Sequence, residues 1–167
     1  MYVRDSELNR VNCTGGEAGC VSFDVGHPYP VVYWPDTSYI YLQLHDDDGP
    51  SVVEQLWARP LDDSAFEVCS IPFSTNALSL GDVVEINEDL FITKICHKST
   101  RLVMHLDVTT ENDDAVLHQL NSLRDLGAII EGPNGTEYVL DAATDEIASV
   151  IQQRISELAQ DAVIKLQ

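Results

Sequence analysis

Cys96 and His97 are the one adjacent pair of nucleophile and base in this sequence, and a thiol activated by an imidazole is a working unit of covalent catalysis. Cys96 ends a strand-like stretch, 91–96, and neighbours on a strand point to opposite faces, so the two groups do not reach each other. His27, His45, His105 and His118 fall in separate segments, and a metal would require them to converge from a distance. Asp46-Asp47-Asp48-Gly49 invites a calcium reading, but the alternate-position ligands and distal glutamate of an EF-hand loop are absent, which leaves a solvated turn. Cys13 and Cys20 flank a flexible stretch, 14–17, that could close a disulfide or catch a metal, yet no C-x-x-C pair occurs. All four cysteines are therefore expected to be free thiols, Cys69 and Cys96 serving as small buried hydrophobes on strands. G-x-S-x-G, H-E-x-x-H, G-x-x-x-x-G-K-[ST] and G-x-G-x-x-G are all missing. The expectation is a protein that is not an enzyme and uses no cofactor and no metal.

Charge constrains the partners more than any motif does. Against 28 acidic side chains stand 9 basic ones, for a formal charge of -19. Nucleic acid is disfavoured as a direct ligand, because phosphate binding needs clustered Lys and Arg to displace counterions. Anionic membrane surfaces are disfavoured for the same reason. An excess of Asp with only three lysines is also how a salt-adapted surface would look. The N-terminus lacks the basic patch and apolar core of a signal peptide, and no apolar run is long enough to span a bilayer, so a cytoplasmic location is expected.

An apolar fraction of 44% is that of a folded chain rather than an acidic tail. Residues 1–20 are polar and glycine-containing and are expected to form a flexible leader. Segments 21–25 and 39–44 read as strands on either side of a proline-rich connection through His27, Pro28, Pro30 and Pro35. Short strands follow at 52–59, 65–71, 82–86 and 90–96, separated by turn chemistry. Residues 21–99 are thus expected to form a small antiparallel β-barrel or curled sheet with an N-terminal strand extension.

The pattern changes after Ser99. Leu102, Met104, Leu106 and Val108 fall on one face and Val103, His105 and Asp107 on the other, predicting a half-buried strand over 101–108. A helix opens at Asn112 or Asp113, carries Val116, Leu117, Leu120, Leu123 and Leu126, and stops at Gly127. Segments 128–131 and 136–140 flank Gly132-Pro133-Asn134-Gly135, a hairpin signal. A second helix over 144–160 buries Ile147, Ile151, Ile155 and Leu158, and 162–166 closes as a strand. Strand, helix, strand, strand, helix, strand is the ferredoxin-like βαββαβ order, assigned to residues 100–167. Its uncovered face would carry His105, Asp107, Glu137, Val139 and Asp141. Such an acidic face fits packing against the first half or another protein, not RNA. The overall class is α+β.

From Ser51 to Leu166 the chain resembles the bacterial domain-of-unknown-function family 4265. The resemblance is carried by Leu56-Trp57-Ala58, Ile71-Pro72-Phe73, Leu80-Gly81-Asp82-Val83-Val84 and Ser99-Thr100-Arg101. It implies no activity, cofactor or catalytic residue. The motif residues have structural explanations: Gly81-Asp82 as a turn entering a strand, Pro72 as a strand end, Trp57 as filler for a small core. Arg101, one cation among many carboxylates, is expected to form a structural ion pair with Asp107, Glu137 or Asp141.

Without catalytic machinery, the acidity points to an inhibitor that binds a basic protein, such as an immunity protein that occludes the active site of a bacterial toxin or basic enzyme. The expected contact residues are Asp46, Asp47, Asp48, Asp62 and Asp63, in turns at one end of the first half, with Tyr29, Tyr33, Trp34 and Tyr39 as anchors. The alternative is a small-molecule or peptide-binding regulatory module using the groove between the halves.

Overall fold

The computed structural model describes residues 23–27, 29–44, 52–108, 113–132, 137–160 and 164–166. The expected leader 1–20, the three-aspartate turn and the 133–136 hairpin tip lie outside them. Within the described residues the fold is mixed α+β, ten strands and two helices in two open sheets.

The first sheet is organised around β3 (Val52–Pro60), whose nine residues are long enough to hold two partners on one edge. β2 (Ser38–Leu44) runs antiparallel along one side, Ser38 opposite Ala58 and Leu44 opposite Val52. On the other side β1 (Phe23–Gly26) pairs in parallel with Val53–Gln55, and β4 (Ala65–Val68) pairs antiparallel with Ala58–Pro60. β5 (Val83–Ile86) and β6 (Ile92–His97) extend the sheet beyond β4. Alternation on β3 turns Leu56 and Ala58 inward with Ile40, Val68, Leu78 and Val84 as one core.

The sheet curls but does not close into the barrel that was one of the two forms expected. β2 meets the far end of the sheet at a single bridge, Tyr41 to Phe91, with Tyr41 N donating to Leu90 O at 2.9 Å. Beyond it β6 carries Thr93, Lys94, Cys96 and His97, all exposed, and its pairing with β5 shifts register twice. Ile92 at the start of β6 packs on the core, but Thr93 to His97 are exposed, so little apolar surface is left to bury against a closing partner. Cys96 is accordingly exposed, not a buried hydrophobe, and its thiol lies 3.1 Å from Glu85 Oε1.

The second sheet has the order β10-β7-β9-β8, with β7 at Leu102–Val108, β8 at Ile129–Glu131, β9 at Glu137–Ala142 and β10 at Ile164–Leu166. α1 (Asp113–Asp125) and α2 (Asp145–Gln160) cover one face of it. Met104, Leu106, Val108, Leu140 and Ala142 point to the helices and meet Leu120, Leu123, Ile151 and Ile155. Each such aliphatic side chain, fully buried, contributes about 1.5–3 kcal/mol. Leu117, expected in the stripe, is instead exposed, because Val116, Leu120 and Leu123 alone satisfy the helical period facing the sheet. Gly127, two residues past the end of α1, has a φ of 98° that suits the left-handed cap that follows a helix. No helix among the described residues is long and apolar enough to cross a membrane.

Candidate functional site

The opposite face of the second sheet, bearing His105, Glu131, Val139 and Asp141, turns towards the first. Val139 and Asp141 are buried there although they do not face the helices. At this seam His27, which follows β1 directly, lies between two carboxylates. Its Nε2 is 2.8 Å from Glu54 Oε1 on β3, and its Nδ1 is 3.0 Å from Glu131 Oε2 on β8. Phe73 stacks on the imidazole with ring centroids 4.1 Å apart, and Trp57 Nε1 donates to the His27 carbonyl at 2.9 Å. Glu54 is wholly buried and accepts two further bonds, from Phe73 N at 2.6 Å and Ser74 N at 2.9 Å. Burial alone would pull the imidazole down, but the hydrogen bonds and charges of Glu131 and Glu54 outweigh it and hold His27 above 6.5.

This cluster did not figure among the residues expected to matter. A signal for it exists: Glu54 occupies the same alternating row as Leu56 and Ala58, and a carboxylate on a core-facing row must find donors. Trp57 belongs to the other row. It is half-buried, lies against Tyr39 with ring centroids 4.0 Å apart and a 38° tilt, and is not the core filler expected.

A second ionic cluster joins the halves where β6 passes into β7. Buried Asp82 accepts from Ser79 N at 2.9 Å, Ser99 N at 2.7 Å and Lys98 Nζ at 2.8 Å. Gly81 holds a φ of 81°, which an L side chain rarely adopts, and so sets Asp82 against Ser99. Leu80-Gly81-Asp82 and Ser99-Thr100-Arg101, far apart in sequence, thus form one structural unit. Arg101 pairs with Asp141, its Nε donating to Oδ1 at 2.6 Å; of the three partners considered, Asp107 and Glu137 are not the ones it meets. Asp141 Oδ2 has no hydrogen-bond partner among the described residues, and burial pushes this carboxyl above its ordinary value, with Arg101 opposing and Asp82 adding to the rise.

Beside the seam, Phe73, Ser74, Thr75 and Asn76 face His105 across an open cleft of about 390 Å³. The buried His105 Nε2 has no hydrogen-bond partner among the described residues, and burial lowers this histidine below 6.5. No cluster of three or more metal-ligating side chains occurs among the described residues.

The expected partner-binding residues divide. Tyr29 and Tyr33 are 79% and 75% exposed, and Trp34 and Tyr39 are also open to solvent. Their segment is pinned: Val31 N and Val32 N donate to Cys69 O, Thr37 N donates to Trp34 O, and the Arg59 guanidinium lies 4.2 Å over the Trp34 ring. Asp62 and Asp63 follow the same end of β3, Asp62 accepting from Ser64 N and Ala65 N, bonds that lower its carboxyl. Asp46, Asp47 and Asp48 lie outside the described residues.

A crystal structure of a hypothetical protein from Neisseria gonorrhoeae is similar in fold, with a TM-score of 0.64 and 15% sequence identity over 81% of this chain and 95% of that one. No curated protein matches the sequence. The family model described as Domain of unknown function (DUF4265) matches residues 54–166. That span takes in Glu54, Phe73, Asp82, Arg101, Glu131 and Asp141 but begins after His27. Since it covers more than half of the sequence, the chain belongs to the DUF4265 family.

Proposed function

We propose that the protein is an acidic, protein-binding inhibitor, an immunity-type antagonist that docks a basic toxin or enzyme through the 29–39 segment and the neighbouring Asp62–Asp63 turn. The observation that carries this is the exposure of Tyr29, Tyr33, Trp34 and Tyr39 on a backbone already fixed by bonds to Cys69 and by Arg59 over Trp34. Rigid aromatic side chains make strong anchors because little entropy is lost on docking. A charge of -19 supplies attraction for a cationic surface. A cytoplasmic site of action accompanies the proposal. The strand order β10-β7-β9-β8 with both helices on one face supports a ferredoxin-like assignment for the second half.

Capture of a basic protein from the source lysate, followed by rate measurements, tests this. Association should slow as salt rises and Tyr33→Ala or Trp34→Ala should speed dissociation. A partner whose rates ignore both would sink the inhibitor assignment. A second function, binding of a small hydrogen-bonding ligand, is favoured by the cleft at His105 with its unpartnered nitrogen. There, a ligand-dependent shift of the His105 ring resonances, absent in His105→Phe, is the expected outcome.

A further inference from the structure

The His27 cluster ties three things together: the first sheet through Glu54, the second through Glu131, and the start of the aromatic segment, since Tyr29 lies two residues on. An imidazolium has two N–H donors, one for each carboxylate, whereas a neutral imidazole has one and presents a lone pair at the other nitrogen. A lone pair 2.8–3.0 Å from a carboxylate oxygen is repulsive, so loss of the proton must break one bond. The two carboxylates differ in which can leave. Glu54 is buried and held from behind by Phe73 N and Ser74 N, while the Glu131 side chain is 20% exposed at the rim of the second sheet and can turn to water.

We infer that His27 is a protonation-controlled latch: charged, it clamps the two sheets and fixes the root of the 29–34 segment; neutral, it keeps Glu54, releases Glu131 and loosens that root. As regulation of the docking surface, this rests on the function proposed above, but the latch itself does not. The charged groups acting on His27 are Glu54 from β3 and Glu131 from β8. Phe73 and Trp57, which also contact it, are uncharged. His105 on β7 feels the charge of Glu54 and is held towards its neutral form by burial.

The experiment follows the ring resonances of His27 and the amide exchange of 29–34 and 129–131 against pH, in the full chain and without any partner. The expected result is a His27 midpoint above 6.5, a fall in protection of both segments through that midpoint, and a downward move of about one pH unit in Glu131→Gln, which keeps an acceptor but not its charge. A midpoint at or below 6.5, or one that ignores Glu131→Gln, overturns the latch. A midpoint that behaves as expected while protection of 29–34 stays flat overturns the control of the segment. Neither outcome depends on whether a basic partner exists, so failure of the docking proposal is read separately, from binding rates measured below the midpoint.

Discussion

Two buried ionic clusters cross this molecule, and they are built to different standards. At His27 every participating nitrogen has a partner and Glu54 receives three donors. At Arg101 the carboxylate of Asp141 has one cation and an oxygen with no hydrogen-bond partner among the described residues. A fully satisfied buried network specifies one arrangement, because any disturbance strands several groups at once. A partly satisfied pair holds its place with less margin, and the raised Asp141 carboxyl records the burial cost that Arg101 only partly offsets. The lesson is that the family motif built on Arg101 marks the more lightly held junction, while the tighter one depends on a histidine outside the matched span.

The largest effect expected from breaking this contrast is at Glu54. Glu54→Ala leaves the His27 ring with one carboxylate and two backbone N–H groups, those of Phe73 and Ser74, without an acceptor. A loss of about 3–5 kcal/mol is predicted, measured by denaturant unfolding.

Arg101→Ala comes next, at about 2–4 kcal/mol near neutral pH, since it strands a buried carboxylate. Asp141 has a folded value above 3.8, so its contribution to stability is fully present below 3.8 and lost as pH rises through the folded value. The Arg101→Ala deficit should therefore shrink in acid, where Asp141 takes a proton and needs no cation. Asp141→Asn should cost less than Arg101→Ala. An Arg101→Ala deficit that stays constant from neutral pH to below 3.8 would remove Asp141 from the account.

Smaller again is the pH slope carried by His27. Its folded value lies above 6.5, so its stabilisation is complete below 6.5 and disappears as pH rises through the folded value. The melting temperature should fall over that window, and Glu131→Gln should flatten the fall. The smallest expected change is Tyr33→Ala, within about 0.5 kcal/mol because the ring is largely in solvent. Its effect belongs to binding, not folding, and a large drop in stability would show that Tyr33 packs in solution.

Much of the architecture was legible because it is written locally. The alternation at Leu102, Met104, Leu106 and Val108 and the helical spacing of Ile147, Ile151, Ile155 and Leu158 set strand and helix before any tertiary contact forms. Barrel closure was not legible, since it turns on how much apolar surface β6 can bury towards β2, and beyond Ile92 its side chains are exposed. The exposed aromatics were found by residue type.

By itself the sequence determined the order of elements, the charge of -19, the missing catalytic motifs and the four family motifs. These depend on residue type and on neighbours within a few positions. Only the tertiary structure decided which of Asp107, Glu137 and Asp141 meets Arg101, and that His27 stands between Glu54 and Glu131, partners 27 and 104 positions away. Hydrogen bonds depend on distance in space, and nothing in a linear pattern fixes which two carboxylates a packed seam will bring to the two nitrogens of one ring.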